Sequence, residues 1–153
     1  MGLDMYLNAK RYLSAHDDQD KPIRNQLHTM LFGIDYDDSN ISVNEVSAEV
    51  MYWRKTNSIH NWFVENVQDD EDNCKEYYVG REQLRSLLET CNKVIADNSL
   101  AESLLPTQSG CFFGAQEYDE WYFRDIHGTA ERISELLTEP KWNNWEFYYR
   151  ASW

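Results

Sequence analysis

The stretch that decides the fold is residues 52–63, which read YWRKTNSIHNWF. Just before it, from Ile41 to Trp53, apolar residues alternate with polar ones, which predicts a strand with one buried face. The alternation slips between Val43 and Val46, which predicts a bulge. From about Lys55 to Val67, apolar residues recur every four positions, which predicts a helix with one buried face. We therefore expect a strand to turn directly into a helix here.

The other predicted elements surround this strand and helix. Alternation from about Gly2 to Leu13 predicts a first strand, which we expect to pair with the strand ending at Trp53. The clearest amphipathic helix is Arg81 to Ala96. A last long helix begins near Glu117, where carboxylates complement the helix dipole. Shorter elements are strands at 77–79, 111–113 and 145–152 and a helix from about 98 to 105. Together they predict an α+β fold, with an antiparallel or mixed sheet of about five strands and three main helices.

Residues 14–40 interrupt this pattern. They are mostly polar and contain Pro22 and Gly33, with at most one short helical turn near Leu27 to Phe32. A chain of 153 residues suits one domain with one core. We therefore predict a single domain, 1–153, with a loop or lid insertion at about 14–40.

The charge of the chain limits its partners. It has 27 acidic and 14 basic residues, a formal net charge of −13, which repels nucleic acid phosphates and anionic lipids. The N-terminus lacks the basic and apolar run of a secretory signal, and no apolar stretch is long enough to span a membrane. Three cysteines without paired spacing favour a reducing compartment. We expect a cytoplasmic protein without a direct nucleic acid or membrane partner.

A first candidate ligand-binding cluster lies on the strand-to-helix run. Trp53, Asn57 and His60 are spaced four and three residues apart, so they should project along one side of the helix, with Arg54 beside them. Arginine offers a donor fork for phosphate or carboxylate, and a tryptophan face can stack on a flat ring. These groups suit a small polar, nucleotide-like ligand. The alternative interpretation is that Trp53 is core and that His60 bonds to the backbone.

A second candidate cluster lies where the brief strand 111–113 is expected to meet the last helix. Glu117 or Asp119 could accept hydrogen bonds from sugar hydroxyls or amides, and Tyr118 or Trp121 could stack on a ring. The alternative interpretation is that these residues only pack in the core and cap the helix. The crowding of Glu117, Asp119 and Glu120 opposes a phosphate here unless Arg124 or Arg54 intervenes.

No catalytic or metal-binding motif has its required residues at the required spacing. Ser58 near His60 lacks a nucleophile elbow, and the carboxylates near Glu117 do not form a recognisable acid and base pair. Residues 35–39 begin like a calcium loop, but Asn40 and Val46 stand where glycine and glutamate are needed. We therefore predict no catalytic residue, no metal and no cofactor.

Four motifs resemble those of small proteins encoded by tailed bacteriophages and prophages. They are MGLDMYL at residues 1–7, YWRKxNxIHxWF at 52–63, FFGxxEYDEWY at 112–122 and FYY at 147–149. The resemblance touches both ends and the middle of the chain and leaves out residues 14–40. It implies a viral or prophage accessory role in the cytoplasm of a bacterial host, and it implies no catalytic residue.

Three functional hypotheses follow. The leading one is a binding protein for a small polar, nucleotide-like ligand, which in a phage setting could sequester a host signal. An alternative is an acidic inhibitor or DNA mimic that docks on a host protein through charge and exposed aromatics. A weaker alternative is a hydrolase that uses the carboxylates near Glu117.

Overall fold

The computed structural model describes residues 2–33 and 40–153. Its sheet is antiparallel throughout, with the order β2-β1-β4-β3. The strands are β1 (Asp4–Tyr12), β2 (Glu45–Arg54), β3 (Tyr77–Val79) and β4 (Glu146–Ser152). The helices are α1 (Lys21–Phe32), α2 (Asn57–Val67), α3 (Arg81–Ala96), α4 (Ala101–Leu104) and α5 (Glu120–Thr138), with 3-10 turns at Asn98–Leu100 and Pro140–Trp142. The α+β class is confirmed, and the described residues form four strands and five helices rather than about five strands and three main helices.

The missing strand is the one predicted at residues 111–113. Cys111 and Phe112 are exposed in a turn, and Phe112 has a φ of 64°. Only Phe113 of the three is buried, and its backbone N–H donates to the carbonyl of Gly110. The strand predicted from this run of three apolar residues is therefore wrong, because only the ring of Phe113 packs in the core.

The predicted insertion at 14–40 contains a helix much longer than one turn. α1 begins with Pro22 in its first turn, where a missing N–H has no cost, and ends at Gly33 with a φ of 71°. Its buried face carries Arg24 and His28, so an apolar stripe did not reveal it. Arg24 donates to the carbonyl of Leu13 at 2.5 Å, which ties the helix to the end of β1. Residues 34–39 of the predicted insertion lie outside the described residues.

The bulge in β2 lies later in the strand than the sequence predicted. Leu7 pairs with Met51 and Asn8 pairs with Glu49, so Val50 is the extra residue. The bulge predicted between Val43 and Val46 is wrong because Val43 lies before β2, which starts at Glu45. The bulge restores the alternation, and Trp53 therefore points into the core.

One face of the sheet packs on the helices. Met5, Leu7 and Ala9 of β1 are fully buried, and Phe63 of α2 stacks on Tyr149 of β4 with ring centroids 3.9 Å apart. α3 and α5 pack against each other over this core. The end of β2 and the start of α2 lie at one edge of this layer, next to the start of α5.

Candidate functional site

A cavity of about 250 Å³ opens at the turn between β2 and α2. One wall is this turn, and the other is formed by the segment leading into α5 together with its first residues. The sequence clusters at 53–60 and 117–121 thus contribute to one cavity. Its lining residues are Arg54, Lys55, Thr56, Asn57, Ser58, Thr107, Gly114, Ala115, Glu117, Asp119, Trp121, Tyr122, Arg124 and Asp125.

The turn at Lys55 is locked in an unusual conformation. Lys55 has a φ of 59°, in the left-handed region that few side chains adopt, and its N–H donates to the carbonyl of Leu3 at 2.7 Å. Gly114 approaches it so closely that a Cβ on Gly114 would lie 2.8 Å from the Cβ of Lys55. The two walls of the cavity meet at this contact, and because they are so close, only a glycine fits at position 114.

Asn57, at the start of α2, links the two walls through hydrogen bonds to the loop that leads to α5. Its side-chain amide donates to the carbonyls of Phe113 and Ala115 at 3.2 and 2.9 Å, and its oxygen accepts from the N–H of Gln108 at 3.0 Å. Asn57 is buried, and these three bonds occupy both amide protons and the oxygen. It lines the cavity as a structural residue, and it fixes the position of the loop.

Three basic side chains line the cavity, those of Arg54, Lys55 and Arg124, and none forms a close ion pair within the described residues. The guanidinium of Arg54 is 4.0 Å from Asp4, and that of Arg124 is 3.8 Å from Asp125; their side chains are 65% and 64% exposed. Lys55 enters none of the ion pairs found among residues 2–33 and 40–153. Exposed pairs at such distances contribute little to stability, so these cations are available to an added anion.

The three carboxylates of the cavity are held by other groups to different extents. Asp119 caps α5 and accepts from the N–H groups of Trp121 and Tyr122, each at 3.0 Å. Asp125 accepts from the hydroxyl of Thr56 at 2.7 Å. Glu117 is exposed and accepts from the backbone N–H of Gln116 at 3.0 Å. Glu117 and Asp119 are both exposed, but Asp119 holds two backbone N–H groups of α5 whereas Glu117 holds one N–H of the preceding loop.

Trp121 presents an exposed ring at the rim. Trp121 is 55% exposed, and the guanidinium of Arg124 lies over its ring at 4.1 Å from the centroid. Such a cation–π contact covers one face of the indole and leaves the other face to a ligand, and both side chains line the cavity.

The seven predicted ligand-binding residues separate into two groups. Arg54, Asn57, Glu117 and Trp121 line the cavity. The structure places Trp53, His60 and Tyr118 outside its lining, because each is used in packing. Trp53 is buried and its Nε1–H donates to the Thr129 hydroxyl at 2.8 Å, whereas the Tyr118 hydroxyl accepts from the Thr107 N–H at 3.2 Å.

His60 is fully buried below the cavity loop. Its Nε2 lies 3.0 Å from Asp72 and its Nδ1 lies 2.8 Å from the hydroxyl of Tyr149. Because a carboxylate only accepts, Nε2 carries the proton and Nδ1 accepts from the Tyr149 hydroxyl. Burial lowers the pKa of His60, and the nearby Asp72 carboxylate opposes that effect.

Lys55, Arg124 and Asp125 line the cavity and were not selected as ligand-binding residues from the sequence. Arg124 follows Trp121 by three residues, a spacing that places two side chains on one helix face, so the pattern could have indicated it. Lys55 gave no such signal, because its position depends on a left-handed turn rather than on helical spacing.

Within residues 2–33 and 40–153, no three His, Cys, Asp or Glu side chains are grouped so as to hold a metal ion. None of the helices described in these ranges combines the length and apolar character required to cross a bilayer. The rejected calcium loop at 35–39 lies outside the described residues.

Comparisons of this chain with protein-family models, with curated proteins and with solved structures found no match.

Proposed function

We propose that this protein binds a small anionic ligand with a flat ring, nucleotide-like in its chemistry, in the cavity between the β2–α2 turn and the start of α5. The observation that carries the proposal is the cluster of Arg54, Lys55 and Arg124, which is loosely paired in a chain of net charge −13. Cations that are only loosely paired with carboxylates in a concave site favour a ligand that supplies the negative charge.

Each group at the rim has a distinct task in this proposal. The forks of Arg54 and Arg124 bind phosphate oxygens in pairs, and Lys55 adds a compact charge. Trp121 supplies a stacking face for a base. Glu117, exposed at the rim, accepts a hydrogen bond from a ribose hydroxyl or an exocyclic amine.

The start of α2 strengthens the attraction for an anion. Thr56 precedes the helix, but its hydroxyl donates to Asp125 and does not cap the helix. Thr56, Asn57 and Ser58 all line the cavity, so the positive end of the α2 dipole faces the same space as the three cations. By contrast, Asp119 caps α5.

The biological setting comes from the resemblance to phage and prophage proteins. In the cytoplasm of a bacterial host, a protein of this kind would sequester a nucleotide-like host signal. This role requires binding and release and no covalent step.

Calorimetry with AMP, GMP, CMP and UMP, each compared with its nucleoside, tests the proposal. We expect at least one nucleotide to bind, its nucleoside to bind about tenfold or more weakly, and the affinity to fall with salt. Native mass spectrometry of protein purified from bacterial cells reports any retained ligand and the number of subunits. Failure of every nucleotide to bind, or equal binding of nucleosides, would overturn the proposal.

A second candidate function, docking on a host protein, is favoured by the exposed apolar end of α1. Met30 and Leu31 are exposed there while Arg24 and His28 are buried, the reverse of an ordinary amphipathic helix. A double Met30→Ser and Leu31→Ser variant should then lose a host partner that co-purifies with the parent chain. If the partner list is unchanged by the variant and by salt, this candidate fails. The hydrolase alternative has less support, because Asp119 and Asp125 are already held by Trp121, Tyr122 and Thr56.

A further inference from the structure

A second hollow of about 360 Å³, the outer hollow, lies between β2 and α5, beside the cavity of the proposed function, which is the inner cavity. The two are neighbours that share the lining residues Arg54, Thr56, Arg124 and Asp125. The outer hollow adds Met51, Tyr52 and Trp53 of β2 and Gly128 of α5. Tyr52 is exposed there, whereas Trp53, which does not line the inner cavity, borders the outer hollow as a buried residue.

The two arginines lie at the junction of these hollows, not at either end. A phosphate bound by Arg54 and Arg124 would have space on both sides: toward Trp121 in the inner cavity, and toward Tyr52 along β2. Of the two aromatic residues that line each hollow, one is exposed: Trp121 in the inner cavity and Tyr52 in the outer hollow. Asp125 belongs to the same wall; its carboxylate accepts from Thr56 at 2.7 Å, and its charge is opposed by the Arg124 guanidinium 3.8 Å away.

The edge of β2 gives the outer hollow hydrogen-bonding capacity. In the described sheet, β2 pairs with β1 alone and is an edge strand. Residues 51–54 of β2 line the hollow, and the backbone N–H and C=O groups of an edge strand that are not paired with its neighbour can bond to the edge of a base or to ribose hydroxyls. The inner cavity alone lies below the usual volume range for ligand sites, roughly 300–1,000 Å³, and the outer hollow lies near its lower end, so a ligand that uses both has more of the space such sites offer.

We propose that the ligand is a dinucleotide, two nucleoside units joined by one phosphodiester, with the phosphate between Arg54 and Arg124. The first nucleoside occupies the inner cavity near Trp121, and the second lies between Tyr52 and Gly128. This inference rests on the proposed function, and it adds the ligand class and a second subsite.

Gly128 allows the outer subsite to be blocked without touching the inner one. It lines the outer hollow but not the inner cavity, and a Cβ on it would meet nothing within 4 Å. A leucine there fills the outer hollow, while an alanine leaves most of it open. Both replace a glycine inside a helix, so both should fold at least as stably as the parent.

The experiment measures binding of ApA and UpU, against AMP and UMP as their monomethyl phosphate esters, to the parent chain, Gly128→Ala and Gly128→Leu. The esters carry the same single negative charge as the dinucleotides, whereas an unesterified phosphate would carry more. We expect a dinucleotide to bind the parent about tenfold or more tightly than its mononucleotide, the size of one added base-stacking contact. Gly128→Leu should remove that advantage and leave the mononucleotide affinity unchanged, whereas Gly128→Ala should keep most of it. Equal binding of dinucleotide and mononucleotide, or a Gly128→Leu variant that still prefers the dinucleotide, would overturn the second subsite while the proposed function stands. Absence of binding by all four compounds would overturn both.

Discussion

The Nδ1 atom of His60 lies 2.8 Å from the hydroxyl of Tyr149, and both side chains are fully buried. The ring of Phe113 packs edge-on against His60, with centroids 5.4 Å apart. Because the carbonyl of Phe113 is held by Asn57, the buried pair supports the loop that forms one wall of the cavity. Residues that the sequence suggested as ligand contacts therefore support the cavity from the core.

Removing the Tyr149 hydroxyl should destabilise the fold. Tyr149→Phe leaves the Nδ1 of His60 buried without a donor, which costs about 1–3 kcal/mol. Urea unfolding measures the loss. The matched control is Tyr148→Phe, because the Tyr148 hydroxyl bonds to the exposed Glu146 and its removal should cost under about 0.5 kcal/mol. Equal losses in the two variants would contradict the buried hydrogen bond.

Stability should fall as the pH drops below about 6.5, the ordinary pKa of histidine. Burial lowers the pKa of His60 in the folded state, so the unfolded chain binds the proton first. The contribution of neutral His60 is therefore complete above that ordinary pKa and is lost progressively as the pH falls toward the lowered folded pKa. The groups bonded to His60 are Asp72 and Tyr149.

The measurement compares urea unfolding at about pH 7.5 and about pH 5.5, above the range in which ordinary carboxylates titrate. His60→Gln should be less stable at both values but should show a smaller difference between them. A parent chain whose stability is unchanged across this interval would contradict the expectation.

Gly114 should tolerate no side chain. Gly114→Ala places a Cβ 2.8 Å from the Cβ of Lys55 at a φ of +99°, so the free energy of unfolding should fall by about 2 kcal/mol or more. Gly33→Ala is the matched control: its φ is also positive, at +71°, but a Cβ there meets nothing within 4 Å. The control should cost only the backbone strain, about 1 kcal/mol. Thermal unfolding of both variants distinguishes the clash from the strain, and a Gly114→Ala loss no larger than that of Gly33→Ala would argue against the close contact.

Asp119 has a structural role and an electrostatic role that two substitutions separate. Asp119→Ala removes the cap of α5 and should cost about 1 kcal/mol, while Asp119→Asn keeps a capping oxygen and should cost little. Asp119→Asn also removes a negative charge from the cavity, so affinity for an anionic ligand should rise about two- to tenfold. Denaturant unfolding and calorimetry give the two quantities. A weaker affinity in Asp119→Asn would mean that the carboxylate itself contacts the ligand.

Local patterns predicted most of the regular elements. The bounds of α3 are those expected, because its apolar side chains repeat at helical spacing and face one core. β1 and β4 were also expected, because alternation along a strand is a local property. α1 was underestimated because polar contacts of Asp20 and Arg24, rather than an apolar stripe, attach it.

What the sequence by itself determined is the α+β class, the strand-to-helix turn after residue 54 and the presence of cations and aromatics beside it, since these depend on spacing along the chain. Only the tertiary structure decided which of them meet around a cavity. Trp53 and His60 turn inward because bonds to Thr129, Asp72 and Tyr149 satisfy their polar atoms in the core. Lys55 and Arg124 reach the cavity because a left-handed turn and the close approach of Gly114 bring distant segments together. Contacts between residues far apart in the chain depend on packing, which no local pattern records.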